Sequence, residues 1–276
     1  MALADHTGRA RIDGKMHKVE PKVFLIGESR VVEDGLKGFL KHIGVAHWKS
    51  DAPSDAERLI EVMGRLCYRS FEAGLNPNVT KVREHNKDYI ENVLSVKHGS
   101  VIEHPVLNFI FADVSRVFTH ELVRHRAGVA ISQESLRFVR LDNLGQWLPT
   151  VIREDKKAVE IFARTFKDLE NLQLELAKHF KLDDPKMPFA KKKVITSAMR
   201  RVAPIGLATT IGWSANPRTI RWVLEMRTDP HAEEEIRLVF SKVGAIVTKR
   251  YPHLFSDFIV ETVDGLPHYK PKNSKV

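Results

Sequence analysis

Apolar and polar positions along this chain keep changing period, and each change marks an element. VFLI at 23–26 is a short apolar run stopped by Gly27 and reads as a buried strand. Leu36, Phe39, Leu40 and Ile43 then recur at helical spacing. SDAERLIEVMGRLCY (54–68) is a second helix, and Ser54 three residues before Glu57 is a capping-box pattern. Helical spacing also runs from about Thr80 to Val96, with Val82, Tyr89, Ile90, Val93 and Leu94 inward. VLNFIF (106–111) is a strand candidate. Val114, Phe118 and Leu122 repeat every four residues, so a helix is expected to carry Arg124-His125-Arg126 at its end. AISQESLRFV (130–139) has no clean stripe and reads as turn or strand. Residues 154–180 form a long amphipathic helix with Phe162, Phe166, Leu169, Leu172 and Leu176 on one side, and another helix spans 188–203. Asn216-Pro217 and Asp229-Pro230 each join an N-cap residue to a proline, launching helices over 217–227 and 230–250.

These elements add up to a helix-rich α+β chain with a small sheet, without internal repeats. Residues 1–20 are polar and expected to be loose, and the closing PHYKPKNSKV is expected to fray. GxGxxG is missing after VFLI and GxxxxGK[ST] occurs nowhere, which argues against a Rossmann dinucleotide fold and a P-loop. The chain has 276 residues, 43% hydrophobic and 29% charged, a globular balance that allows one large domain or two small ones. Cys67 is the single cysteine, so no intrachain disulfide or multi-cysteine zinc site can form. That fits a reducing, cytoplasmic setting, and Leu66-Cys67-Tyr68 reads as core packing. No apolar run reaches the roughly 18 residues of a membrane span, and the first 20 residues lack the apolar stretch of a secretory signal. A soluble protein without a membrane partner is expected. Lys plus Arg number 44 against 35 Asp plus Glu, a formal charge of +9 that favours an anionic partner.

The densest polar cluster is HELVRHRAGVAISQESLR, residues 120–137. Three chemistries compete for it. HELVRH resembles the zinc motif HExxH but is one residue too long, and on a helix His120 and His125 would stand about 140° apart. Arg124, Arg126, Arg137 and Arg140 could track the phosphates of a nucleic acid, yet Gln133, Glu134 and Ser135 interrupt them and no aromatic RNA-binding motif accompanies them. A pocket for a small phosphorylated ligand suits the mixture better, because arginine grips phosphate bidentately while Ser and Gln read neutral groups. Arg200, Arg227 and His231 lie on other segments and could converge on the same anion. Each arginine taken singly also reads as a solvated surface charge.

RHR, eight residues, Ser135 and then Arg137 resembles the signature of the flavin-dependent thymidylate synthases, the ThyX family. LCYRSF (66–71), KHGSVIEH (97–104), MRRVAP (199–204) and SANPRTIRWVLEMRTDPHAEEEI (214–236) agree with it in order and spacing. The resemblance spans about residues 57–256. It implies a ThyX-like α+β fold, with a small, mostly antiparallel sheet flanked by long helices. It also implies three parts: an N-terminal strand–helix extension (1–56), a catalytic domain (57–256) and a polar tail (257–276).

The implied reaction makes dTMP from dUMP, with 5,10-methylenetetrahydrofolate as carbon donor and NADPH-reduced FAD as hydride donor. The implied assembly is a homotetramer with active sites at subunit contacts. Ser100, Arg124, His125, Arg126, Gln133, Asn216, Arg218 and His231 are implied to hold FAD. Glu121, Arg124, Gln133, Glu134, Ser135, Arg137, Arg200 and Arg227 are implied to hold dUMP, with Arg137 on the phosphate. The implied catalytic set is Arg227, which helps ionise the uracil, Ser135, which hydrogen-bonds the substrate, and His98, near the flavin and folate entry.

Two departures stand out. The family spacing between RHR and Ser is seven residues, and Gly128 is the residue able to absorb the eighth. Trp222 occupies a position where relatives often carry Asn or His, and its spacing with Ile220, Val223 and Leu224 reads as core. A related flavin- and folate-dependent pyrimidine nucleotide methylase or hydroxymethylase is the nearest alternative, and a nucleic-acid-binding protein is the alternative of another class.

Overall fold

Local signals start most of the helices. The computed structural model describes residues 17–276 except 138–140, 142 and 143. The expectations for residues 1–16, for 138–139 and for Arg140 lie outside the described residues. The chain forms β1 (Lys22–Glu28), α1 (Glu33–His42), α2 (Asp55–Tyr68), α3 (Asn86–Ser95), β2 (Leu107–Ser115), α4 (Arg116–Leu122) and β3 (Val129–Gln133). It continues through α5 (Thr150–Arg153), α6 (Lys156–His179), α7 (Phe189–Met199), β4 (Ala208–Ala215), α8 (Pro217–Arg227), α9 (Glu234–Arg250), β5 (Phe258–Val263) and β6 (Leu266–Pro271). Short 3₁₀ turns cover Gly99–Glu103 and Arg200–Val202. One sheet has the order β1-β2-β4-β3, and β5 pairs antiparallel with β6. The helix-rich α+β class and its small sheets are as expected.

Two compact units result. The larger comprises Val23–Phe111, Glu121–Ser132 and Gly212–Val276. Its centre is aromatic: Phe109, Phe111 and Phe240 ring Trp213 at centroid distances of 5.7–5.9 Å, all at most 1% exposed. At α2, Ser54 accepts the Glu57 N–H and its hydroxyl meets the Glu57 carboxylate at 2.7 Å, as the capping pattern predicts. The smaller unit takes the described residues up to Lys22, of Ala112–His120 and of Gln133–Ile211. There Asp155 caps α6 by accepting the N–H groups of Lys157 and Ala158, and Phe166 packs with Leu136, Leu141, Leu144 and Leu207.

The structure differs from the sequence pattern at several places. VFLI lies on β1, but Phe24 and Ile26 are exposed rather than buried, and the helix expected from about Thr80 starts only at Asn86. Val114 belongs to β2 rather than to a helix; Ser115 then accepts the Phe118 N–H at 3.1 Å and opens α4, so the four-residue repeat straddles a strand-to-helix switch. The helix expected from Pro230 begins at Glu234, because Asp229 closes a turn onto the His231 N–H and Glu233 supplies the cap. The tail is not frayed: β6 pairs with β5, and Tyr269 packs against the glycine face of Gly244. Cys67 is exposed rather than core, because the last turn of α2 leaves Leu66, Cys67 and Tyr68 uncovered and buries Gly64 and Arg65 instead. Trp222 is 40% exposed and lies outside the Ile220–Val223–Leu224 stripe that faces inward on α8.

Candidate active site

In the larger unit the polar chemistry gathers around Arg227. Asn216 caps α8 by accepting the Thr219 N–H at 2.9 Å, and Pro217 occupies the first turn. Ile220, Val223 and Leu224 are fully buried, which fixes the rotation of the helix and places Arg227 at its last turn. The Arg227 Nη1 donates to Glu121 Oε2 at 2.8 Å, and its Nε donates to His125 Nε2 at 2.8 Å. Two of its five N–H groups are thereby spent, and three are left for a further acceptor.

His125 is 3% exposed. Burial, reinforced by the charges of Arg227 and Arg124, pulls its pKa down to about 4. The ring is therefore neutral near pH 7. Accepting at Nε2 puts its proton on Nδ1, and that atom is buried without a hydrogen-bond partner. Such an unmet donor costs free energy unless an acceptor meets it. Trp222 packs edge-on to the ring at 4.9 Å and restricts its orientation. A titration of the His125 ring followed by NMR is expected to show a midpoint near 4. Because the unfolded ring titrates near 6.5, this group's contribution to stability is complete above pH 6.5 and is lost as pH falls toward 4. An ordinary midpoint would contradict the buried, guanidinium-facing arrangement.

The turn carrying RHR is clamped to the start of α8. Gly128 accepts the Asn216 N–H, and Ala127 accepts the Thr219 hydroxyl at 2.8 Å. Gly128 has φ +68°, and a Cβ there would lie 2.4 Å from the Asn216 side-chain nitrogen. The backbone on either side leaves Arg124 and Arg126 exposed.

The remaining residues of this unit are distributed around it. Arg218 forms an ion pair with Glu103, and its Nε donates to the main-chain oxygen of Val276 at 2.9 Å. Ser100 and His231 are exposed. The His98 ring stacks parallel to Tyr68 at 6.4 Å, so Tyr68, which sequence reasoning did not single out, supports it.

In the smaller unit, Gln133 donates to the Thr119 hydroxyl at 3.1 Å. Glu134 bridges two partners, its carboxylate accepting the Thr210 N–H and its carbonyl accepting from Arg116 Nη2, both at 3.2 Å. Ser135 Oγ accepts from the backbone and the Nε of Arg137. Arg200 lines an open cavity of about 310 Å³ together with Arg116, Arg201, Ser197 and an apolar wall that includes Leu136 and Ile205. Arg116 and Arg201 were missed by sequence reasoning. Arg201 directly follows Arg200 and was legible only as a second charge, and nothing local distinguishes Arg116.

Clustered guanidinium groups and a neutral buried imidazole in the larger unit, and an arginine-lined cavity in the smaller one, are the chemistry of a protein that handles anions. Residues 49–253 match the family of the thymidylate synthase complementing protein. The flavin-dependent thymidylate synthase of Corynebacterium diphtheriae is 34% identical over 214 residues, covering 76% of this chain and 82% of that protein. Its Corynebacterium efficiens counterpart is 34% identical over 221 residues, 79% of this chain and 86% of that protein. Among solved structures, thymidylate synthase X of Helicobacter pylori with FAD and dUMP superposes with a TM-score of 0.55 at 19% identity, covering 86% of this chain and 98% of that one. The UMP/dUMP methylase PolB of Streptomyces cacaoi superposes at 0.57 and 15% identity, covering 87% and 94%. The chain belongs to the flavin-dependent thymidylate synthase family.

Proposed function

We propose that this chain converts dUMP to dTMP, taking the carbon from 5,10-methylenetetrahydrofolate and the hydride from FAD that NADPH has reduced. The single observation that carries the reading is Arg227, fixed by Glu121 and a neutral His125 with three donors unspent. C5 of uracil is a poor nucleophile. A guanidinium beside N3 and O4 stabilises negative charge on the ring and pushes electron density toward C5. Arginine keeps its charge at any working pH, and the neutral imidazole orients it without competing for the anion. Neither of the two side chains that Arg227 engages, Glu121 and His125, is a thiol, and ring activation there is assigned to charge.

The residues fit a flavin. His125 offers a buried Nδ1–H that lacks an acceptor, Arg124 and Arg126 are exposed on either side, and the left-handed Gly128 lets the turn sit close against Asn216 and Thr219. Bound flavin supplies the hydride. Ser100, Gln133, Asn216, Arg218 and His231 complete the proposed FAD set. Asn216 also caps α8, and Arg218 is already engaged by Glu103 and Val276. Glu121, Gln133, Glu134, Ser135, Arg137 and Arg200 complete the proposed dUMP set, and His98 takes the folate side. A homotetramer is the proposed assembly, supported by exposed apolar residues such as Phe24 and Ile26 on β1 and Phe189 and Val194 on α7. None of the described helices is long and apolar enough to cross a membrane.

The test is spectral and chemical. The protein, as purified or after addition of FAD, is expected to show a flavin absorption band. With dUMP, methylenetetrahydrofolate and NADPH it is expected to yield a product heavier than dUMP by CH₂. A hydroxymethylated product would move the assignment to a pyrimidine nucleotide hydroxymethylase, and methylation of UMP in preference to dUMP would move it to a UMP methylase. Failure to take up flavin, with steeply salt-dependent nucleic-acid binding, would overturn it.

A further inference from the structure

One side of α8 is held by the C-terminal segment 257–276. Arg218, Arg221 and Glu225 on the helix and Thr228, which caps it, follow one another at spacings of three, four and three, so they line a single face. Each of the four is bonded to that segment. The Arg218 Nε donates to the main-chain oxygen of Val276 at 2.9 Å, and the Ser274 hydroxyl donates to Glu225 Oε1 at 2.6 Å. Arg221 is buried; its Nη1 and Nη2 donate to the two carboxylate oxygens of Asp257 at 2.8 and 2.9 Å, and its guanidinium lies over the Phe258 ring at 4.8 Å. Thr228 is fully buried, accepts the Tyr269 N–H at 2.9 Å and donates its hydroxyl to the Leu224 carbonyl at 2.7 Å. The segment is itself seated. Asn273 donates twice to Asp257 Oδ2 at 3.0 Å, and a Cβ on Gly99 would stand 2.5 Å from the main-chain carbon of the buried Val276. Burial works against the Asp257 charge, but the Arg221 fork and the Asn273 donors outweigh it and hold the carboxyl below its ordinary pKa.

We propose that segment 257–276 is a strap that sets the position of α8 along its axis, with Thr228 the positioning residue for Arg227 at one end and Val276 the positioning residue for Arg218 at the other. This rests on the proposed roles of Arg227 in ring activation and of Arg218 toward flavin, and it assigns work to residues that reading did not include. The stripe of Ile220, Val223 and Leu224 fixes which way the helix is turned, but apolar contacts are non-directional and tolerate sliding. Hydrogen bonds are directional and weaken steeply off line, so four of them spread over the length of the helix fix its advance. Arg227 adjoins Thr228, so a slip at the cap moves its guanidinium relative to Glu121 and His125. At the other end, the Val276 oxygen and Glu103 take Nε and Nη1 of Arg218 and leave the remaining edge of the fork aimed outward.

The experiment compares the full chain with Thr228→Val, with a chain ended after Lys272, and with Thr248→Val as control. Thr248 makes the same hydroxyl-to-carbonyl bond on α9, to Gly244 at 2.8 Å, away from the strap. Thr228→Val is expected to lower kcat roughly 10–10²-fold, the scale on which a misplacement of about 1 Å acts, and to bind FAD as the parent does. The shortened chain is expected to bind FAD about tenfold more weakly in a flavin-fluorescence titration, because Arg218 loses an acceptor and its alignment. In an NMR titration without flavin, the His125 midpoint of Thr228→Val is expected to rise from about 4 toward 6.5 without reaching it: burial and Arg124 persist while the Arg227 charge is withdrawn. Thr228→Ser is expected to restore kcat and midpoint together, and Thr248→Val to change neither. A His125 midpoint that stays near 4 in Thr228→Val overturns the strap, as does an unchanged FAD affinity in the shortened chain. Tighter FAD binding there overturns it too, since the tail would then compete with flavin for Arg218. Should Thr228→Val fail to fold by circular dichroism, the shortened chain decides alone; should the parent take up no flavin, the His125 midpoint decides. A moved midpoint in a protein that makes no dTMP keeps the strap and loses the activity, and dTMP formation with an unmoved midpoint does the reverse.

Discussion

Replacing Arg227 by alanine lowers turnover by roughly 10²–10³-fold while FAD stays bound, the scale of about 2.7–4 kcal/mol lost with one preorganised donor. The side chain is the point where α8 meets Glu121 and His125, so its loss removes both the charge and the reason for their alignment. The two members of the ion pair remain 18% and 27% exposed, so water can solvate the abandoned carboxylate and the fold survives. A change in kcat with a nearly unchanged melting temperature is therefore expected. Arg227→Lys restores the charge without the Nε donor to His125 or the planar fork, and recovers little. The measurements are steady-state turnover, flavin content by absorbance and thermal melting of each variant. Normal turnover of the alanine variant would remove Arg227 from the chemistry, whereas loss of flavin would make it a cofactor ligand.

Gly128→Ala destabilises the protein by about 2–5 kcal/mol. Left-handed backbone costs a residue with a Cβ about 1–2 kcal/mol, and forced overpacking adds about 1–3 kcal/mol. Both apply here, since φ is +68° and the new methyl would stand 2.4 Å from Asn216 Nδ2 and 2.6 Å from Thr219 Oγ1. Relief by movement would tear the clamp between the RHR turn and the cap of α8, on which the position of Arg227 depends. Urea unfolding reads the stability loss, and flavin affinity reads the displaced turn. Gly74 also has positive φ, but a Cβ there meets nothing within 4 Å, so Gly74→Ala serves as the control for backbone strain alone. Equal losses at the two positions would show that the close approach at Gly128 carries no weight.

How much could be read ahead of the structure varies with the reach of each signal. The caps of α2 and α8 and the stripe on α6 were legible because each depends on neighbours within a turn or two. Gly128 stood out as the residue able to absorb an extra position, and its backbone is left-handed. The family signature named Glu121, His125 and Arg227, yet gave all three to ligands and none to each other. Their mutual contacts join residues 106 and 102 positions apart and follow from how α8 packs. Cys67 and Trp222 misled because a helical stripe shows which side of a helix is apolar, and not where its cover ends. The tail misled because its polarity hid Tyr269, which is buried through one close fit against Gly244.

Helix positions, caps, the strained turn and family membership were thus written in the order of residues, since short-range backbone preferences and a spaced motif survive without a third dimension. The protonation of His125, the donors Arg227 keeps free and the company of Arg116 with Arg200 and Arg201 were not. Each depends on burial and on charges brought close by packing, and those exist only once distant segments are folded together.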